Sequence, residues 1–308
     1  MKKFVKKVLL TIIHFSFDLG QFSLTLCRIM LMKFFRTKLP YKHNGRINLI
    51  VNGPSASNIM PLLGKKNEFI SNPSIVVNFF ANNPEYEILR PEYYCLADPM
   101  FFMDIPGRID KVRKFFCNLE MKTTWPLVLL IPKCYGIDKF KLYSKIKNSN
   151  IEIIEVSTLG YEGFEKFRYR FYKLGFCAPR PYTVAIMALY SCINLGFNEI
   201  DIYGLDNNYY ASLCLNQQGV VCDKIQHNGE PDEYREIRTD TGERISLYDY
   251  LLGLTYHLKN HEYTQQYAKY IGTKIFNHSP ITMVDAYERK RKHSKKCTFY
   301  TLRFGCSF

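Results

Sequence analysis

Several common signatures are missing from this 308-residue chain, and each absence removes a class of function. No G-x-G-x-x-G and no G-x-x-x-x-G-K-[ST] occurs, so neither a dinucleotide fingerprint nor a Walker loop is present. The ten cysteines form no C-x-x-C pair, and cysteine and histidine nowhere take a zinc-ligating spacing. Free thiols in a reducing compartment are therefore expected. Long uncharged runs are missing too. The longest before Asp18 is Val8 to Phe17, and the next is Leu19 to Cys27, both far short of the roughly 20 residues a spanning helix needs. Tryptophan occurs once, but 23 Tyr, 23 Phe and 47% hydrophobic residues exclude a disordered chain.

The net charge of +14 is concentrated at the ends. Residues 1–46 hold ten Lys/Arg against one acid, Asp18, and residues 286–308 hold seven against Glu288. The body between them is close to neutral. That argues against a nucleic-acid groove and for ends that meet an anionic surface. Val8, Ile12, Phe15, Leu19, Phe22, Leu26 and Ile29 repeat at alternating spacings of four and three, beside a polar stripe of Lys7, Thr11, His14, Asp18, Gln21, Thr25 and Arg28. This predicts an amphipathic helix with lysines before it and after it, suited to a membrane interface. A helix packed on the body, or a span that tolerates Asp18, would carry the same pattern. At the other end, Arg289 to Lys292 and Lys295-Lys296 precede Phe299, Tyr300, Phe304 and Phe308, a second lipid-headgroup candidate.

From Ile47 the pattern alternates between strand and helix. Strands are expected at 47–51, 74–80, 93–97, 125–131, 151–156, 199–203 and 274–277, and helices at 56–63, 183–195 and 247–268. Such alternation implies an α/β fold with one mostly parallel sheet and ligands at the carboxyl ends of its strands. Gly196 stands where a left-handed helix terminator is wanted. Residues 207–241 show no clear period and read as a lid or acceptor segment. Three regions result: 1–46, a basic membrane-associating helix and linker; 47–285, the α/β domain; and 286–308, a basic-aromatic tail.

The first strand runs into Asn52-Gly53-Pro54-Ser55. Gly53 permits a positive φ or a close approach to the backbone, and Ser55 is placed to cap the next helix. Other strand ends carry Asn78, Asp98 and Asp206, and Arg180 with Thr183 precedes a buried helix. Small amides and carboxylates converging at one sheet edge suit a base, ribose hydroxyls and a phosphate. A helix N-terminus suits an anion.

These residues resemble the bacterial CMP-sialic-acid transferases of glycosyltransferase family 42. The resemblance lies in the strand entering Asn52-Gly53-Pro54-Ser55, in Asn78-Phe79-Phe80, and in Asp98-Pro99-Met100-Phe101-Phe102. It continues in Arg180-Pro181-Tyr182-Thr183 and in Gly204-Leu205-Asp206, in that order over about 47–210. It implies a Rossmann-like, single-sheet variant of the nucleotide-sugar transferase (GT-A) fold, working without metal or cofactor, and no convincing Asp-x-Asp motif is present. Asn52, Ser55 and Asn78 would contact the cytidine monophosphate, Asp98 the sugar or ribose, and Tyr209 and Tyr210 the phosphate. His227, the one histidine of the mobile segment, would be the base, with His278 in reserve; His257 and His261 read as surface groups. Two departures stand out. Asp98 replaces an Asn, and Asn207-Asn208 replace aromatics.

The resulting expectation is an inverting, metal-independent glycosyltransferase moving sialic acid or a related acidic sugar from a CMP donor to a cell-surface glycan or glycolipid. It would sit peripherally on the cytoplasmic face of a bacterial inner membrane, against anionic lipid and without nucleic acid, with a homo-oligomer as one form open to it. Another nucleotide-sugar donor, or a membrane-peripheral nucleotide-binding module without catalysis, remains open.

Overall fold

The computed structural model describes residues 2–31, 36–37, 39–40, 43–65, 69, 71–144, 146–225, 233–239 and 242–290. His227 and the tail beyond Lys290 lie outside them.

Apolar runs bounded by turn residues form the strands. These are β1 (Arg46–Ile50), β2 (Ser74–Val77), β3 (Tyr93–Cys95), β4 (Leu127–Pro132), β5 (Ile151–Val156) and β6 (Glu199–Tyr203). Then come β7 (Leu213–Leu215), β8 (Val221–Ile225), β9 (Glu233–Glu236), β10 (Lys274–Asn277) and β11 (Glu288–Arg289). Eight of them make one sheet in the order β11-β10-β6-β1-β2-β3-β4-β5, with every pairing parallel. β2 and β3 are buried at every position, as continuous apolar runs inside a parallel sheet require. The α/β class expected from the alternation is the one observed.

Helices cover both faces. The longer ones are α1 (Lys2–Leu31), α2 (Glu85–Leu89), α3 (Ile109–Lys122), α4 (Ile137–Ser144), α5 (Glu165–Leu174) and α6 (Val184–Leu195). A short turn, α7 (Tyr209–Ser212), and the long α8 (Leu247–Ile271) follow. One apolar layer joins Leu49, Ile75 and Ile202 to Tyr172 of α5, to nearly all of α6, and to Tyr267 of α8. The other joins Ile50, Val76 and Leu129 to Phe115 and Leu119 of α3, Phe140 of α4 and Tyr86 of α2. Gly196 terminates α6 at φ 98°, in the left-handed region.

Three expectations change. The segment at 56–63 is two short 3-10 turns, Pro54–Asn58 and Met60–Leu62, and the residue capping the first is Gly53, not Ser55. The segment 207–241 is not all irregular, because β7, β8 and β9 form a separate antiparallel sheet there. Its short strands mix polar and apolar residues, which hides a strand period. Asp223 of β8 accepts from Tyr250 of α8 at 3.2 Å and from Ser212 at 3.1 Å, tying this sheet to the body. Third, Glu288–Arg289 inside the expected tail adds the edge strand β11.

Strand order reverses at β1. The chain steps outward through β2 to β5, then returns to the other side of β1 as β6. Ligands of open parallel sheets bind beyond the carboxyl ends of strands at such a reversal. Here the two strand ends meet directly. Gly53 N donates to Gly204 O at 2.9 Å. Gly53 has an ordinary φ of −67°, so its glycine is needed for closeness: a Cβ would overlap the Gly204 carbonyl oxygen and lie 2.8 Å from Asp206 Oδ2. Gly204 takes the left-handed conformation at φ 77°, and a Cβ there would lie 2.8 Å from that of Ala56. Gly53→Ala and Gly204→Ala are each expected to cost about 1–3 kcal/mol by forcing the two turns apart. Urea unfolding measures this, and a wild-type midpoint in either variant would mean that the contact yields without cost.

Candidate functional site

Asn52 and Asn78 follow two paired parallel strands, with Ile50 opposite Val76. They therefore emerge side by side. Asn52 Nδ2 donates to Val77 O at 3.1 Å, bridging the two strand ends. Asn78 adopts φ 51°, a left-handed conformation that Asn tolerates better than most residues. Its carbonyl accepts from the buried Tyr94 hydroxyl, which in turn accepts from Ala81 N at 2.9 Å, so the sharp turn after β2 is braced from inside the core. Burial holds the Tyr94 hydroxyl protonated by pushing its pKa far up.

Asp206 follows β6, and its buried carboxylate grips the turn after β1. Oδ2 accepts from Ser55 N at 2.6 Å and Oδ1 accepts from Ser55 Oγ. The expected donor contacts Ser55 and Asp206 thus bind each other and shape the rim. Asp98 behaves similarly: its Oδ1 accepts from Met100 N at 3.0 Å, capping the 3-10 turn Pro99–Phe101. An Asn oxygen would make the same bond, so the exchange of Asn for Asp preserves the local backbone.

α6 runs antiparallel to the strands, because only residues 196–198 join its end to the start of β6. Its N-terminus therefore opens at the same rim, and it packs on β1, β2 and β3. Thr183 is the N-cap residue, yet its side chain makes no capping bond, and Oγ1 is buried without a partner among the described residues. Asn78 Oδ1 and Asn208 Oδ1 are in the same condition. Buried polar atoms are almost always satisfied, and three of the nine such atoms without a partner among the described residues belong to segments that end at this one rim, where they suit a polar ligand. Arg180 does not join them. Its guanidinium pairs with Glu162, and its backbone N donates to Asn260 Oδ1 at 2.8 Å. Arg180, expected to bind an anion with Thr183, here ties Glu162 to Asn260.

The histidines are redistributed. His278 Nε2 lies 2.5 Å from Asp201 Oδ1, and its ring stacks on Tyr203, so the reserve base is engaged by a buried carboxylate. His257 and His261, read as surface groups, are buried at 5% and 0% exposure. Their i,i+4 spacing puts both on one side of α8. That side faces the end of β6. Asn207, at φ 46°, places Nδ2 3.0 Å from His257 Nε2 and 3.4 Å from His261 Nε2. An amide nitrogen can only donate, so His257 Nε2 accepts. His261 Nε2 lies 3.0 Å from His257 Nε2, and His261 Nδ1 shares a 2.8 Å hydrogen bond with the Tyr287 hydroxyl. Tyr209 lies over His257 and is 43% exposed, forming the outer end of the cluster. Tyr210 is its half-buried neighbour.

Burial keeps both imidazoles neutral. It pushes His257 down to about 4, while burial and the neighbouring ring push His261 well below its ordinary value. Because the unfolded chain takes up these protons near pH 6.5 and the folded one resists, stability present at pH 7 is lost as pH falls from about 6.5 towards 4. The slope is up to about 1.4 kcal/mol per pH unit for each histidine. Urea midpoints at a series of pH values should show a shallower acid slope in His257→Gln than in the wild type. Equal slopes would show that His257 titrates alike in both states.

No family model matches the chain, and no curated protein sequence matches it. Among solved structures, it is similar to the MAf glycosyltransferase of Magnetospirillum magneticum AMB-1, at 13% identity and a TM-score of 0.44. That match covers 82% of this chain but only 35% of the larger protein, so the chain spans about a third of its length. It is also similar to the sialyltransferase CstII of Campylobacter jejuni in complex with cytidine-5'-monophosphate, at 13% identity and a TM-score of 0.39, covering 80% of this chain and 85% of that one. The CstII complex with CMP-3FNeuAc matches at 12% identity and a TM-score of 0.38 over the same shares.

Proposed function

We propose that this chain is an inverting glycosyltransferase that transfers a sugar, sialic acid or a related acidic sugar, from a CMP-activated donor to a glycan or glycolipid. The observation that carries the proposal is the set of orphaned polar atoms at the switch-point rim, Asn78 Oδ1, Thr183 Oγ1 and Asn208 Oδ1. A nucleotide offers the complementary groups: an exocyclic amine and ribose hydroxyls as donors for the amide oxygens, and phosphate oxygens as acceptors for the threonine hydroxyl. The α6 N-terminus adds backbone N–H groups and a positive dipole end for that phosphate.

In the proposed reaction the acceptor hydroxyl gives its proton to a base, and its oxygen bonds the anomeric carbon. The bond from that carbon to the phosphate oxygen breaks, and CMP leaves. His227 takes the base role that the motif resemblance implies. Tyr209 and Tyr210 hydroxyls stabilise the departing phosphate. The proposal assigns the charge on the leaving group to these donors and to the helix end, not to a metal. The acceptor would be met at the cytoplasmic face of a bacterial inner membrane.

One residue favours a second reading. Asp98 places a carboxylate near the expected sugar, and a like charge about 4 Å from a sialic-acid carboxylate costs on the order of several kcal/mol at intermediate dielectric. A less acidic sugar on the same or another nucleotide would avoid that cost.

Calorimetry across CMP-, UDP- and GDP-sugars tests both readings, with CMP-sugars expected to bind and to turn over undiminished in EDTA. Loss of all turnover in EDTA would replace the metal-free mechanism, and binding confined to UDP- or GDP-sugars would replace the donor. Asn78→Ala should weaken CMP binding by roughly tenfold or more, the value of one buried hydrogen bond to a charged or strongly polar group. An unchanged dissociation constant would remove Asn78 from the site. His227→Ala should lower kcat by roughly 10²- to 10⁴-fold while leaving CMP affinity intact, and a wild-type rate would move the base elsewhere.

A further inference from the structure

α1 is continuous from Lys2 to Leu31, and it is apolar well beyond the side that packs on the body. The side touching the body is the narrow one. Phe22 packs among Tyr161, Phe164, Phe167 and Phe171, Phe15 reaches Phe164, and Ile29 is buried. Thr25, a member of the polar stripe, is fully buried: Oγ1 donates to Glu162 O at 2.8 Å and accepts from Glu162 N at 3.2 Å. Arg28 pairs with the Glu162 carboxylate at 3.5 Å. The fit is close, since a Cβ on Gly163 would lie 2.7 Å from that of Phe22. Thr25 and Arg28 of the polar stripe thus border the protein.

The remaining arc is apolar and open. Val5, Leu9, Ile12, Ile13, Phe17, Leu19, Leu24 and Met30 are all exposed, and Leu31 is 82% exposed. Exposed apolar surface on this scale marks an interaction site. Lys6 and Lys7 follow Lys2-Lys3 at the free end, and residues 1–46 carry ten Lys/Arg against one acid. An apolar arc bordered by cations complements anionic headgroups over hydrocarbon.

We infer that α1 is the protein's membrane-docking surface, lying along the plane of an anionic bilayer with its outward arc buried and its Phe15–Ile29 edge clamped to the catalytic body. Length decides between lying and crossing. By length and composition α1 could cross a membrane. However, residues from Phe15 onward run along a body face that holds Glu162, Glu165, Lys166 and Arg168, which hydrocarbon would not accept. Only the residues before Phe15 are free of the body. They span ~20 Å, less than the ~30 Å hydrocarbon core. The clamp also fixes orientation. Glu162 holds Arg180, and Arg180 N donates to Asn260 of α8, one turn after His257 and next to His261, so the switch-point rim is held at a set angle to the docked helix.

Flotation of the full chain with phosphatidylcholine vesicles, with and without phosphatidylglycerol, tests the inference independently of any donor or activity. Binding to the anionic vesicles is expected to exceed that to neutral ones by at least roughly tenfold and to fall in high salt. Leu9→Glu with Ile13→Glu should abolish flotation while leaving the urea midpoint unchanged, because both side chains are exposed. Thr25→Val should keep flotation but lower the midpoint. A discrete dimer in light scattering, with no vesicle binding, would assign the arc to a second copy and overturn the inference. Resistance to alkaline carbonate extraction would overturn the in-plane orientation in favour of a span.

Discussion

The bond between Asp206 and the turn after β1 is the constraint on which the site depends. A parallel sheet that reverses direction leaves a gap beyond the two central strands, and in this chain the gap is stitched by one carboxylate and one backbone bond. Asp206 takes both the N–H and the hydroxyl of Ser55, and Gly53 reaches the Gly204 carbonyl. Gly53 is glycine because no Cβ fits, and Gly204 because its φ is positive. With the turn held, Asn52 is free to bridge to β2, and Asn78 is set beside it with its amide oxygen unspent. A buried carboxylate is costly unless hydrogen-bonded, and the two Ser55 bonds satisfy Asp206 in its place.

Division of labour among polar residues follows from this. Some that look like ligand contacts are occupied in building the rim: Ser55, Asp206, Asp98 and Arg180 each satisfy a backbone or ionic partner. Others are held in strained or buried positions with a polar atom unspent, and these are the ones that point to a ligand. The neutral pair His257 and His261 belongs to a third kind. It fastens the left-handed Asn207 against α8 and Tyr287, which orients Asn208 and Tyr209 at the mouth of the site.

Much of the architecture was legible because it rests on local chemistry. β5, β6 and β10 have the bounds their apolar runs imply, and Gly196 ends α6 as its backbone freedom requires. Asn52 and Asn78 meet because strand ends in a parallel sheet share an edge. The antiparallel strands β7 to β9 were illegible: their mixed-polarity residues carry no period, and pairing alone defines them. The buried histidines escaped notice for a related reason. Their i,i+4 spacing puts them on one side of α8, and that this side is turned inward could be known only from what packs there.

Composition and order by themselves determined an α/β chain with a neutral body, basic ends and small polar residues closing its central strands, because strand and helix periods and turn chemistry are properties of short segments. Tertiary structure alone decided which of those polar residues are spent on each other and which remain unpartnered. It alone set Phe22, Thr25 and Ile29 of α1 against the protein and left a wide apolar arc of the same helix outward. Both outcomes depend on contacts between segments far apart in the chain, such as Ser55 with Asp206 and Thr25 with Glu162, and no local pattern encodes such pairings.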